Sequence, residues 1–148
     1  MSEPTVYVVD DDAQFRTAIG RLLRASGYKA TLHESAEQFL KISRAPGPAC
    51  ILLDIRMSGL SGLELQGRLN REGIILPIVF LTGHGDIPTS VKAIKAGAED
   101  FLSKPVAQGT LLSTVERALA RYREMHELKT QVRLWRLSLR ARARSLRS

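Results

Sequence analysis

The sequence lacks the features that would place it in a membrane or outside the cell. Cys50 is the only cysteine among 148 residues, so no internal disulfide can form. No apolar run approaches the roughly 18 residues of a membrane-spanning helix. The N-terminus also lacks the basic-then-apolar segment of a secretory signal. These absences predict a cytoplasmic chain that does not enter a membrane, with Cys50 as a small core residue in a reducing compartment.

Internal repeats are absent, and acidic residues become scarce towards the C-terminus. By count, residues 1–120 hold 13 Lys and Arg against 13 Asp and Glu, and residues 121–148 hold nine basic against two acidic residues. The whole net charge of +7 therefore lies in the last segment. This division predicts a neutral domain over residues 1–120 and a basic helical extension over residues 121–148.

Short apolar runs alternate with segments of helical spacing. Between the runs, Ser35 and Ser61 are each followed three residues later by Gln or Glu, which is the pattern of a capping box. Gly27 is placed to end the first helix. Five strands alternating with helices predict an α/β fold in which helices cover both faces of a parallel sheet. The runs are TVYVV (5–9), YKATL (28–32), ACILL (49–53), PIVFL (77–81) and DFLS (100–103).

Polar residues stand where these strands end. Asp10 and Asp11 follow the first strand, Asp54 the third, Thr82 the fourth and Lys104 the fifth. An acidic triplet by itself is more often a solvated turn than a binding site. A threonine or a lysine by itself is usually a strand-end hydroxyl or an ordinary surface residue. In a doubly wound sheet of order 2-1-3-4-5, however, strands one and three flank the switch point where ligands bind. The five side chains are therefore expected to converge at one edge of the sheet.

Crowded carboxylates of this kind require a cation. Two like charges about 4 Å apart cost roughly 4 kcal/mol at an effective dielectric near 20. Oxygen-only ligands favour Mg²⁺, which would leave Asp54 ionised as a nucleophile. The Lys104 ammonium and the Thr82 hydroxyl suit phosphoryl oxygens. These residue types predict an aspartate that accepts a phosphoryl group with the assistance of Mg²⁺.

Four segments carry a family resemblance, namely VVDDD, LLDIRMSGLSG, FLTGHGD and AIKAGAEDFLSKP. In this order and spacing, residues 4–120 resemble the receiver domain of bacterial two-component response regulators, nearest the FixJ-type branch. The resemblance implies a flavodoxin-like (βα)5 fold and a sensor histidine kinase as partner. It implies a signalling module rather than an enzyme, with only self-catalysed phosphoryl transfer and slow autodephosphorylation.

The resemblance assigns the phosphoacceptor and metal-binding roles. Asp54 would be the phosphoacceptor. Asp11 and Asp54 would bind Mg²⁺ together with the backbone carbonyl of Arg56, while Asp10 would act through water. Lys104 would contact the phosphoryl oxygens. Ser58 is a departure, because the family usually carries a proline there and its loss should loosen the loop.

The resemblance also assigns a switch and the positions that tune hydrolysis. Thr82 would move towards the phosphoryl group and Phe101 would follow by rotating inward. The Lys104–Pro105 bond is expected to be cis. The two positions that tune hydrolysis of the phosphoaspartate in this family are occupied here by Arg56 and His84.

The basic extension continues the last helix, which is predicted from about residue 107 to 140. Apolar residues recur there at spacings of 3 and 4, and Glu124 and Lys129 flank them, so a parallel coiled-coil homodimer is expected. A solvated or frayed linker is the alternative. The DNA-binding LuxR-type output domain of FixJ-type regulators is absent, which suggests a shortened chain or a regulator without that domain. The heptad residues are Met125, Leu128, Val132, Trp135 and Leu139.

Three function classes follow. The favoured one is a phosphorylation-controlled receiver that switches dimerisation and, in the full-length protein, transcription, with DNA bound only through an output domain. A Mg²⁺-dependent phosphohydrolase on a related fold is the second. A constitutive dimerisation or DNA-binding element with an inert acidic pocket is the third.

Overall fold

The computed structural model describes residues 3–83 and 87–147, and the predicted tuning residue His84 lies outside them. Five parallel strands form one sheet in the order β2-β1-β3-β4-β5, which confirms the predicted doubly wound topology. In chain order the elements are β1 (Thr5–Val9), α1 (Ala13–Ala25), β2 (Lys29–His33), α2 (Ala36–Leu40), β3 (Ala49–Asp54), α3 (Gly62–Arg71), β4 (Ile78–Thr82), α4 (Ile87–Lys95), β5 (Asp100–Ser103) and α5 (Gln108–Arg147).

The central strands are buried on both faces because their side chains alternate between two hydrophobic clusters. Val6 and Val8 of β1 point towards α1 and α5, where they pack with Leu23. Tyr7 and Val9 point to the opposite face, where helices α2, α3 and α4 cover them. A strand in this position therefore requires an uninterrupted apolar run. This holds for β1, β3 and β4, in which every residue is buried.

Side-chain caps fix the points at which the helices begin. The Asp12 carboxylate accepts hydrogen bonds from the backbone N–H groups of Gln14 and Phe15 at the start of α1. Ser61 and Glu64 form the predicted capping box of α3. Gly27 has φ +94° just beyond α1, a conformation that costs glycine little.

Helix α5 is longer than predicted. It runs to Arg147 instead of ending near residue 140, a total of 40 residues, or about 60 Å at about 1.5 Å per residue. Its N-terminal part packs on the sheet through Leu111, Val115, Ala118 and Leu119, and the residues that follow are mostly exposed. Arginine, alanine and leucine are strong helix formers, which explains the extra turns. None of the described helices combines the length and apolar character needed to cross a membrane.

Candidate functional site

Three carboxylates meet at the carboxyl edge of the sheet. Strands β1 and β3 are neighbours in register, with Val9 opposite Leu53, so the residues that follow them lie side by side. Carboxylate oxygens of Asp10, Asp11 and Asp54 lie within 4.8 Å of one another. Asp10 is fully buried, Asp54 is buried and Asp11 is exposed. The sequence-based convergence of these side chains is therefore present in the structure.

Asp12, the third member of the acidic triplet, does not belong to this cluster. Its side chain caps α1, while its backbone N–H donates to Asp10 Oδ1 over 2.9 Å. This turn directs Asp10 inward and leaves Asp11 at the mouth of the site. Arg16 Nη1 donates to the backbone carbonyl of Asp10 over 2.7 Å, so α1 holds the turn from its other side.

Lys104 supplies the positive charge of the site. Its Nζ lies 2.7 Å from Asp10 Oδ2 and 3.7 Å from Asp54 Oδ2, so its closer partner is Asp10. The same ammonium lies 4.4 Å from the centroid of the Phe15 ring, a cation–π distance. The Lys104–Pro105 peptide bond is cis, as predicted. The backbone N–H of Lys104 donates to the Thr82 carbonyl over 2.8 Å, which ties the two strand ends together.

Burial and crowding alter the ionisation of two groups. Burial and the neighbouring charge of Asp10 raise the pKa of Asp54 to about 6, although Lys104 and the Arg56 backbone N–H partly offset this effect. Burial alone would lower the pKa of Lys104, but the hydrogen bond to Asp10 and the charges of Asp10 and Asp54 hold that pKa above its ordinary value. The single charge of Lys104 thus offsets the negative charge of the carboxylates incompletely. A cluster of hard oxygen ligands with uncompensated negative charge fits a divalent cation such as Mg²⁺.

The remaining predicted residues surround the cluster. Thr82 ends β4 and is buried, one residue beyond Leu81, which pairs with Asp54. Phe101 on β5 is half-buried and packs against the hydrophobic cluster on the α2–α4 side of the sheet. Arg56 is exposed, and its backbone N–H lies 3.4 Å from Asp54 Oδ1.

Sequence reasoning did not anticipate one contact to the loop after Asp54. Glu37 on α2 accepts a hydrogen bond from the backbone N–H of Leu60 over 2.6 Å. Gly59, at φ +78°, leaves room for it, because a Cβ there would lie 2.7 Å from Glu37 Oε1. The sequence signal for this contact is weak, since Glu37 and Leu60 are 23 residues apart. The loop with Ser58 in place of the usual proline is therefore tethered from α2.

Comparison with known proteins identifies the family. The profile of the response regulator receiver domain matches residues 6–116, which is most of the chain. The chain belongs to this family. The receiver is similar to nodulation protein W of Bradyrhizobium diazoefficiens, with 42% identity over 127 residues that cover 86% of this chain and 56% of that protein. It is also 42% identical to the transcriptional regulatory protein FixJ of Azorhizobium caulinodans over 119 residues, which cover 80% and 56% of the two chains.

Solved structures show the same likeness. The response regulator StyR superposes with a TM-score of 0.83 at 42% identity, covering 92% of this receiver chain and 69% of StyR. Full-length FixJ from B. japonicum superposes with a TM-score of 0.78 at 36% identity, covering 86% and 63% of the two chains. The receiver chain spans a little over half the length of the curated relatives it matches. It is a two-component signalling module, and neither the phosphohydrolase nor the inert-pocket alternative is favoured.

Proposed function

We propose that Asp54 accepts a phosphoryl group from the phosphohistidine of a sensor histidine kinase. The observation that supports this role is the cluster of Asp10, Asp11 and Asp54 beside the Lys104 ammonium. Asp54 closes β3 at the centre of the sheet edge, where a nucleophilic oxygen faces a neutralising cation. Phosphoryl transfer requires mainly positioning and charge neutralisation from a protein.

Asp11, Asp54 and the backbone carbonyl of Arg56 would hold Mg²⁺. Asp10 would contribute through water, because its two carboxylate oxygens already accept hydrogen bonds from Lys104 and from the Asp12 backbone N–H. Bound Mg²⁺ would neutralise charge on the phosphoryl oxygens. The ion would also relieve the repulsion that raises the pKa of Asp54.

Phosphorylation would be read out by residues next to Asp54. The Thr82 hydroxyl and the Lys104 ammonium would bind phosphoryl oxygens, which requires Lys104 to shift some of its contact away from Asp10. Phe101 would rotate inward as Thr82 moves, a change between two states that the new charge biases. Arg56 would tune the hydrolysis of the phosphoaspartate, and we assign the same role to His84 on the resemblance.

The phosphorylated receiver would act as a parallel homodimer through α5. Met125, Leu128, Val132, Trp135 and Leu139 give the dimer its apolar stripe. In the full-length protein the dimer would control transcription through a DNA-binding output domain, and its compartment would be the cytoplasm. Residues 1–120 and 121–148 remain the proposed functional division, although α5 runs through the boundary without a break.

Intact-mass spectrometry with acetyl phosphate and Mg²⁺ tests the phosphoacceptor. The wild-type chain should gain one phosphoryl group that is labile to hydroxylamine, and Asp54→Asn should gain none. Asp12→Asn is the matched control, because it removes a neighbouring carboxylate but retains an N-cap residue for α1. Unchanged labelling of Asp54→Asn would disprove the assignment.

A further inference from the structure

The far half of α5 carries most of its positive charge along one line. Six basic residues follow one another at intervals of 4, 3, 4, 4 and 3 residues, which places them on one helix face. Over those positions the stripe is about 27 Å long. No acidic residue follows Glu127 in the sequence. The basic stripe consists of Lys129, Arg133, Arg136, Arg140, Arg144 and Arg147.

This arrangement is electrostatically unfavourable for the isolated helix. Lys129 and Arg133 are separated by four residues, as are Arg136 and Arg140, and like charges at that spacing destabilise a helix. Every residue of the stripe is exposed. The domain of residues 1–120 is neutral by count, so it does not offer a general negative surface to balance the stripe. A linear polyanion would relieve this repulsion along the whole face.

The basic stripe is separate from the apolar stripe of α5. At about 100° per residue, the lines of the two stripes lie roughly a quarter turn apart on the helix surface. Leu128 and Trp135 of the apolar stripe are 62% and 65% exposed, so these side chains are available to a partner. A dimer that covers the apolar stripe would engage Lys129, which flanks that stripe, and would leave the other five cations of the basic stripe accessible. The two stripes can therefore bind different partners at the same time.

The charge distribution favours nucleic acid over a lipid surface. A helix lying in a membrane interface needs its apolar face in the acyl boundary and cations beside that face. In α5 the second flank of the apolar stripe carries Glu127, Gln131 and Ser138, and Arg142 is the single cation among them. Duplex DNA requires only the cations, because phosphate contacts provide most sequence-independent affinity.

We propose that the basic stripe of α5 binds the phosphate backbone of duplex DNA without regard to base sequence. This inference departs from the expectation that DNA is contacted only through an output domain. It also stands apart from the phosphoacceptor proposal, because the stripe lies at the opposite end of α5 from the acidic site.

Fluorescence anisotropy with a random 25-base-pair duplex tests this proposal on the whole 148-residue chain. The slope of log affinity against log salt concentration should be about −4 to −5, given about 0.9 per neutralised phosphate. A quadruple variant, Lys129→Gln, Arg133→Gln, Arg136→Gln and Arg140→Gln, should lose at least tenfold in affinity. Its slope should become shallower by about 3, while circular dichroism shows an unchanged helix content, since Gln is a good helix former.

The matched control removes the same amount of charge away from the stripe. It combines Lys92→Gln, Lys95→Gln, Arg123→Gln and Arg142→Gln, and it should keep its affinity within about threefold because the stripe is intact. An equal loss in both variants would overturn the proposal in favour of a general charge effect. Binding to phosphatidylserine vesicles without binding to the duplex would overturn it in favour of a lipid surface.

Discussion

The three adjacent aspartates after β1 have three different surroundings. Asp10 is buried against Lys104, Asp11 is exposed beside the cluster, and Asp12 caps α1. Two of the carboxylates thus have a compensating hydrogen-bond donor within the chain. The negative charge that is least compensated is concentrated where Asp11 faces Asp54, on the open side of the site.

Asp54→Asn should stabilise the metal-free protein at neutral pH. The pKa of Asp54 is about 6 instead of 3.8, so the folded protein binds this proton more tightly than the unfolded chain. Stability therefore falls as pH rises from 3.8 to about 6, and the loss is complete above that range. Removing the charge should raise the free energy of unfolding by about 1–2 kcal/mol at neutral pH, less than the full pKa difference gives because solvent at the open side of the site screens the charge.

Urea unfolding in EDTA at about pH 7.5 and pH 5 checks the stability predicted for Asp54→Asn. The stabilisation should be smaller at pH 5, because Asp54 of the wild-type protein takes up its proton there. Asp12→Asn again serves as the control. A variant that is less stable than wild type at both pH values would contradict the repulsion described for this site.

Lys104→Ala should destabilise the protein and make its stability respond more strongly to Mg²⁺. The substitution leaves the buried Asp10 carboxylate without its 2.7 Å partner. We expect a loss of about 2–3 kcal/mol, below the figure for a fully buried pair because Lys104 reaches solvent. Mg²⁺ binding should remain, whereas the response to phosphorylation should weaken.

Calorimetric titration with Mg²⁺ and thermal unfolding with and without the ion provide the measurement. Lys95→Ala, at an exposed lysine on α4, is the control and should lie within about 0.5 kcal/mol of wild type. Loss of Mg²⁺ binding in Lys104→Ala would contradict the separate roles given to the lysine and the carboxylates.

The composition of the site could be predicted from the sequence because strand ends in a parallel sheet share one edge. Asp10, Asp11 and Asp54 followed from that rule. The contact between the Phe15 ring and Lys104 could not be predicted in this way, because it depends on the angle at which α1 leaves its cap. The preference of Lys104 for Asp10 over Asp54 also depends on side-chain geometry that spacing does not encode.

At the scale of elements, the start of α3 packs directly against the backbone at the end of β3. A Cβ on Gly62 would collide with the backbone carbonyl of Asp54 and would lie 3.1 Å from Cε1 of Phe80. The backbone N–H of Gly62 also donates to the Ile55 carbonyl over 3.0 Å. A glycine is therefore required where α3 begins, and this contact fixes the distance between α3 and the end of β3.

Gly62→Ala should destabilise the fold by about 1–3 kcal/mol through overpacking and should displace the Asp54 backbone. Gly67→Ala in the same helix is the matched control, because its Cβ would meet only the flexible Arg71 side chain at 3.6 Å. That control should gain up to about 1 kcal/mol in helix propensity. Urea unfolding and the rate of labelling by acetyl phosphate check both variants, and equal stability for the two would contradict the close packing.

Glu37→Gln should loosen the loop between β3 and α3. The hydrogen bond from the backbone N–H of Leu60 favours the charged carboxylate and holds the pKa of Glu37 below its usual range. Neutralising it should speed hydrogen exchange at residues 56–60 and weaken Mg²⁺ binding severalfold, because the Arg56 carbonyl lies in this loop. Glu34→Gln removes the same charge from an exposed neighbour and should change neither quantity.

The elements themselves were largely predictable, and the reasons are specific. The strands match the predicted runs to within one residue at each end, because apolar runs flanked by turn residues mark buried strands closely. The end of α5 was misjudged by seven residues, since no capping residue or glycine stops the helix among its arginines. The tether from Glu37 to Leu60 required knowledge of how α2 lies against the loop.

For the whole molecule, the exposed stripe of α5 predicts how copies associate. Truncation after Tyr122 should make the chain more monomeric in sedimentation velocity experiments, because it removes the five apolar heptad residues. In the intact chain, Leu128→Asn combined with Val132→Lys should have the same effect without shortening the helix. Sedimentation that does not change in either variant would contradict the coiled-coil proposal.

The unbroken course of α5 also has a mechanical consequence. Arg117 and Arg121 join it to Asp100 and Glu99 around the start of β5, over 3.2 and 3.9 Å, and β5 carries Phe101. Beyond Arg121 the helix continues for about 39 Å at about 1.5 Å per residue. A helix held in this way would act as a lever that pivots at its packed N-terminal part. A tilt of about 5° there would move the C-terminal end by about 3 Å, enough to change the contact between two such helices.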